Sequence, residues 1–188
     1  KAQALIGRAK LAYDGLVHDY KMGEGIAKPG FQGVRRTPLD EPLDDFFFDQ
    51  SYAHALGAAR PHADGSPSGQ VVNLDARRKI ATLPIAGMPH LGSGITFDWN
   101  GTRVLASPNL QDGTISVIDM KTWKLVKDIA TPGPGFFMRS HENTPYAWTD
   151  SMMAPKAKHI MTIIDKRTLE PVAEVKGSPG KTLAHIEF

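Results

Sequence analysis

Gly113-Thr-Ile-Ser-Val-Ile-Asp119 decides the fold, because the chain writes it three times. It lies over Gly69-Gln-Val-Val-Asn-Leu-Asp75 before it and His159-Ile-Met-Thr-Ile-Ile-Asp165 after it, with the closing aspartates 44 and 46 residues apart. Working outward, each copy is followed by a short polar turn and a second apolar stretch: Lys79–Ile85, Trp123–Ile129 and Leu169–Val175. A Gly/Pro loop comes next, at Gly87–Gly94, Pro132–Gly135 and Gly177–Gly180. Two further strand-turn-strand patterns follow, Ile95–Ala106 and Phe137–Trp148, and Phe46–Gly57 is an earlier half-match. Each unit thus holds four short segments rich in Val, Ile, Thr and aromatic residues, with no helical period of useful length. Four strands in a repeat of about 40–45 residues is the pattern of a β-propeller blade.

The expected fold is therefore all-β, with about three to four four-stranded blades from a larger propeller. Residues 1–42 read as an irregular leading segment and 43–188 as blades cut at both ends, with Phe188 inside the first strand of a further blade. A closed ring of seven or eight blades needs well over about 300 residues at this period, and the chain has 188. Composition narrows the function classes. Lys and Arg number 22 against 20 Asp and Glu, a formal charge of +2 without a block of like charges, so neither nucleic acid nor an acidic membrane is an expected partner. No apolar run is long enough to insert in a membrane. Zero Cys excludes a disulfide framework, a Cys-based zinc site and a C-x-x-C-H haem attachment within these residues. Phosphate-loop, nucleophile-elbow and dinucleotide motifs are missing, and no histidine pair has metal-site spacing, so no metal ligand is assigned.

Blade topology sorts the loops. In a four-stranded meander the 2–3 turns and the links between blades share one face, so Met88–Gly94, Ser107–Gly113, Pro132–Gly135 and Gly177–Gly180 gather there. His90 is the most informative residue on it. Pro89 before it fixes φ, and Gly92 and Gly94 after it let backbone pass close to another group. A histidine held so is suited to be a proton donor or a ligand; the alternative is a loop histidine bonded to a neighbouring carbonyl. Arg139 and His185 fall on or beside innermost strands. Arg139 suits a ligand carboxylate or a salt bridge to the next blade, and His185 suits channel lining or packing. His141, beside Glu142 and Asn143, reads as a turn residue on the opposite face.

Three stretches carry a resemblance. Pro89-His90-Leu91-Gly92-Ser93-Gly94, Gly133-Pro-Gly-Phe-Phe-Met-Arg-Ser-His-Glu-Asn-Thr-Pro-Tyr146 and the ending Gly180-Lys-Thr-Leu-Ala-His-Ile-Glu-Phe188 resemble the haem d1 domain of cytochrome cd1 nitrite reductase and the relatives that handle or assemble haem d1. The resemblance implies an eight-bladed periplasmic propeller with haem d1 in its channel, the iron ligand lying outside this segment. It makes His90 a distal acid/base, with Pro89, His90, Gly92, Gly94, Arg139 and His185 around the cofactor, nitrite a candidate substrate and a c-type cytochrome a candidate electron donor. Two departures stand out. The second distal histidine, in a Phe-Leu-His-Asp-Gly run, is matched with Phe46-Phe47-Phe48-Asp49-Gln50, which puts Phe48 in its place, and the arginine of Pro-His-Pro-Gly-Arg-Gly is Ser93. Loss of one general acid costs about 10²–10⁴ in rate. The expectations are thus a haem d1 oxidoreductase or electron-transfer domain, a non-reducing haem d1 maturation or carrier protein, or a propeller scaffold without cofactor.

Overall fold

The computed structural model describes residue 37 and residues 39–184. Within them twelve strands form three antiparallel meanders, each in simple sequence order. Blade 1 is β1 (Asp45–Phe48), β2 (His54–Ala58), β3 (Gln70–Asn73) and β4 (Arg78–Thr82). Blade 2 is β5 (Ile95–Trp99), β6 (Thr102–Pro108), β7 (Thr114–Asp119) and β8 (Leu125–Ala130). Blade 3 is β9 (Met138–Ser140), β10 (Tyr146–Asp150), β11 (Ile160–Asp165) and β12 (Glu170–Lys176). One 3₁₀ turn, η1 (Leu91–Ser93), sits in the link between blades 1 and 2. First strands neighbour one another, β5 against β9, and last strands do the same, β8 against β12. All of β12 is exposed, which marks the fourth strand as the outer edge. The further strand expected at the C-terminal end lies outside the described residues.

The core lies between the blades. Leu56, Val71, Leu83 and Ile85 of blade 1 pack on Leu91, Leu105 and Ile118 of blade 2. Val104, Ala106, Ile115 and Val117 of blade 2 pack on Met138, Ala147, Ile164 and Leu169 of blade 3. Period two explains the division, since consecutive residues of β6 point to opposite faces: Leu105 toward blade 1, Val104 and Ala106 toward blade 3. A sheet covered on both faces reads as a continuous apolar run, which is why the third strands were so easily matched.

The repeat is more regular in space than in letters. Between the third and fourth strands the register slips once per blade, at Val71/Val72, Val117/Ile118 and Ile163/Ile164. Every step is 46 residues. The strand-ending acceptors follow the same step: Asn73 Oδ1 takes the amide of Ala76 at 2.7 Å, Asp119 Oδ1 that of Lys121 at 2.7 Å, and Asp165 Oδ1 that of Arg167 at 2.8 Å. Matching Asp75 with the other two aspartates was thus out of register by two residues. Asn73 is the true equivalent, because an asparagine carbonyl closes this turn as a carboxylate does. Four residues on, Arg77, Trp123 and Leu169 adopt left-handed backbone, with φ of 56°, 58° and 57°. Such backbone costs a non-glycine residue about 1–2 kcal/mol. Burial of a large apolar side chain, worth about 1.5–3 kcal/mol, offsets it at Leu169, buried between blades 2 and 3, and at Trp123, packed on the blade 1–blade 2 core.

Candidate functional site

The link face carries the candidate site. Pro89 bridges to Asn109, the amide of His90 donates to Pro108 O at 2.7 Å, and that of Leu110 donates to Met88 O at 2.8 Å. The histidine loop is therefore fastened to the β6–β7 loop as an extra rung. Just beyond, Leu91 is fully buried in the core between blades 1 and 2, which anchors η1 and leaves His90 half-buried above it. The Nδ1 of His90 lies 2.7 Å from Phe136 O, and the imidazole is 4.0 Å from the Phe136 ring at 49°. A carbonyl only accepts, so Nδ1 carries the proton and the neutral ring keeps its lone pair on Nε2. The bond to a neighbouring carbonyl is present, and it leaves the other nitrogen open for the second reading. Nδ1 is bonded to a neighbouring carbonyl, and Nε2, without a partner among the described residues, can accept a proton or act as a ligand.

The glycines of the loop make close approaches to protein. A Cβ on Gly92 would sit 2.8 Å from Asp45 Oδ1, and one on Gly94 would sit 3.0 Å from Ala106 O. The Gly92 amide donates to Asp45 Oδ2 at 3.0 Å. Gly92 and Gly94 therefore hold the loop that carries His90, and the charged end of β1 abuts it.

Two buried polar residues escaped the sequence reading. Asn109, 2% exposed, accepts the amides of Met88 at 3.1 Å and Gln111 at 2.9 Å on Oδ1 and donates from Nδ2 to Ala86 O at 2.9 Å. Asp150, 1% exposed at the end of β10, accepts the amides of Phe136 at 3.0 Å, Phe137 at 2.9 Å and Met152 at 3.0 Å. One local signal existed: Asp150 two residues before Met152 is an Asx turn. Its other two donors come from a different part of the chain, and only the fold brings them together.

Of the remaining candidates, Arg139 lies on β9 opposite Trp148, donates to Met138 O at 3.0 Å and makes no ion pair among the described residues. Its guanidinium is not committed to a neighbouring blade by any described carboxylate. Ser93, only 5% exposed, lies in η1 with its amide on His90 O, so this position is part of the loop's packing. His141 Nδ1 accepts the amide of Asn143 at 3.1 Å, the turn role expected of it. His185 lies outside the described residues. Phe48 needs correction. It stands at the far end of β1 from the Asp45–Gly92 contact and stacks with Tyr52 in the β1–β2 turn, with ring centroids 6.2 Å apart. β1 begins beside the His90 loop at Asp45, with Leu43 and Asp44 leading into it. Phe48 thus lies away from the His90 loop, and the strand end that abuts the loop carries carboxylates.

Residues 29–188 match the cytochrome D1 heme domain family. The chain belongs to that family. One curated cytochrome D1 relative is the dihydro-heme d1 dehydrogenase of Pseudomonas aeruginosa, 46% identical over 154 residues, or 82% of this chain. The chain spans 30% of that relative's length. A solved structure titled dihydro-heme d1 dehydrogenase NirN in complex with DHE superposes with a TM-score of 0.77 at 45% identity, covering 85% of this chain and 34% of the other. Hydrazine synthase of Kuenenia stuttgartiensis superposes with a TM-score of 0.57 at 14% identity over 79% of this chain and 39% of its own, a likeness of fold alone. The three meanders are thus blades of a cytochrome D1 β-propeller, and haem d1 is the cofactor of that domain. The residues gathered at His90 fit such a group: an imidazole nitrogen with its lone pair available and the Phe136 ring 4.0 Å from the imidazole.

Proposed function

We propose that this chain is the tetrapyrrole-handling part of a haem d1 maturation protein, which takes a dihydro-haem d1-type substrate and removes hydrogen from it. His90 is the proton acceptor, and His90, Phe136 and Arg139 hold the substrate. The observation that carries the reading is the imidazole fixed by Phe136 O with Nε2 as its basic nitrogen. When bound, the tetrapyrrole supplies a redox-active ring and carboxylate side chains. Phe136 offers the ring an apolar surface, Arg139 offers a bidentate partner for a carboxylate, and Nε2 takes up one of the two protons released while the other passes to solvent. The electrons pass to a redox partner, for which a c-type cytochrome is the class the resemblance implies, in a periplasmic setting. No helix of the described residues is long and apolar enough to cross a membrane.

Nitrite reduction fits less well. Proton delivery to a bound anion calls for two acids, and the strand end that abuts the His90 loop offers the carboxylates Asp44 and Asp45 rather than a second histidine. Two adjacent carboxylates repel an anionic substrate.

The test uses the full-length protein that contains this chain. Titration with dihydro-haem d1 should give a bound absorption spectrum that converts to that of haem d1 when an oxidant is supplied. His90→Gln should keep the binding and slow conversion about 10²–10⁴-fold. Rapid nitrite turnover without dehydrogenation, or no tetrapyrrole spectrum at all, overturns the reading.

A further inference from the structure

The Phe136–Phe137 peptide is held at both ends. Its C=O accepts from His90 Nδ1 at 2.7 Å, and its N–H donates to Asp150 Oδ2 at 2.9 Å. The other carboxylate oxygen of Asp150 accepts the Phe136 amide at 3.0 Å, so both flanks of that peptide are fixed by one buried side chain. The segment is tied further to β10, with the Asp150 amide on Phe137 O at 3.3 Å and Thr149 Oγ1 on the same oxygen at 3.2 Å. From these contacts we infer that Asp150 is a positioning residue for His90. It acts through the peptide to hold the imidazole in the Nδ1–H tautomer, with the lone pair on Nε2.

The physical basis is hydrogen-bond polarisation. A peptide whose N–H donates to a carboxylate carries more negative charge on its oxygen, and a chain of hydrogen bonds strengthens each member. Carboxylates that bond histidine directly fix tautomer and ring orientation in this way. Here one peptide unit stands between the two. Other charged groups near the loop do not compete for Nδ1. Asp45 is engaged by the amides of Gly92 and Phe46, Asp44 is exposed at the start of β1, and Arg139 donates to Met138 O. Of the hydroxyls beside Asp150, Ser151 Oγ is buried without a partner and Thr149 Oγ1 bonds Phe137 O, so neither engages the carboxylate.

This inference deepens the proposed role of His90 and rests on it only for its consequence in turnover. The test reads the tautomer directly, by ¹⁵N NMR of the His90 ring in the full-length protein without tetrapyrrole. The wild-type ring should show protonated Nδ1 and unprotonated Nε2 at a pH where it is neutral; an Nε2–H ring there overturns the inference without any variant. Asp150→Asn retains size but cannot accept both amides. It should shift the ring toward a mixture of tautomers and slow conversion of dihydro-haem d1 about 10–100-fold. Asp150→Glu, which keeps the acceptor, should restore most of the Nδ1–H population. A folded Asp150→Asn protein with an unchanged tautomer overturns the inference. A shifted tautomer in a protein that never dehydrogenates its substrate supports Asp150 and defeats the function proposed above.

Discussion

On the face that carries the turns between third and fourth strands, the blades copy one another at a step of 46 residues: acceptors at Asn73, Asp119 and Asp165, left-handed residues at Arg77, Trp123 and Leu169. On the face that carries the links, no two loops are alike. The link before β5 holds a 3₁₀ turn and His90, and the one before β9 is a Pro/Gly run ending in two phenylalanines. Buried polar side chains are used differently too. Asp119 and Asp165 close their own turns, whereas Asn109 and Asp150 reach the links that lead into β5 and β9. Repetition serves the scaffold, because each blade must present the same surface to its neighbour. The candidate site lies where repetition stops, and polar clamps are needed there because irregular backbone lacks ladder partners.

The largest effect that can break this contrast is Gly135→Ala. A Cβ there would meet the Asp150 carbonyl oxygen at 2.4 Å, a backbone atom that cannot swing aside. Overpacking of this kind should cost about 3 kcal/mol and also move the segment that orients His90. The control is Gly101→Ala in the β5–β6 hairpin, where φ is +78° and nothing lies within 4 Å of the added Cβ. Only left-handed strain opposes it, about 1 kcal/mol. Urea unfolding of the two variants should rank them in that order, and equal midpoints would show that the link face is no more constrained than the turn face.

A smaller effect sharpens the equivalence of the turns. Asp119→Ala removes the acceptor for the amides of Lys121 and Thr122, at 2.7 and 2.8 Å, and for the Thr102 hydroxyl at 3.0 Å. By analogy with capping groups it should cost about 1–2 kcal/mol. Asn73→Asp, by contrast, merely installs the residue its two counterparts already have, and should change stability by less than about 0.5 kcal/mol. A loss comparable with that of Asp119→Ala would mean that Asn73 is not the third member of the set.

What the sequence made legible follows the same division. Third strands announced themselves because their apolar runs are buried on both faces, and the loop sorting followed from meander topology alone. The register error at Asp75 arose because letters were matched where the fold matches functional groups, and Asn and Asp present the same acceptor to a turn. His90 was visible because proline and glycine flank it. Asp150 and Asn109 were not, because their partners come from distant segments, 13 or 14 residues away for the Phe137 and Phe136 amides and 21 for that of Met88. Phe48 misled for a related reason. A match along the chain cannot tell which end of a four-residue strand faces the site, and β1 turns Asp45 toward it.

The smallest predicted effect concerns acid, and it probes the turn face alone. The Arg167 side chain and amide hold the Asp165 carboxyl down to about 2 from an ordinary value of 3.8. Asp119 is lowered as well, chiefly by the amide of Thr122, against the opposing effect of its burial. In the unfolded chain both carboxyls take up protons near their ordinary value, before the folded protein does. Between that value and about 2 the unfolded state therefore binds more protons, and stability rises with pH through that window. The contribution of Asp165 is complete above its ordinary value and disappears as pH falls through about 2. Arg167→Ala removes the largest cause, so the folded carboxyl returns toward its ordinary value and this share of the pH dependence should vanish. Urea midpoints at pH 5 and pH 2.5 should thus lie closer together in Arg167→Ala than in the wild-type protein. An unchanged gap would assign the acid sensitivity to other groups and leave Asp165 as a turn residue whose ion pair contributes little, the usual outcome for a guanidinium as exposed as that of Arg167.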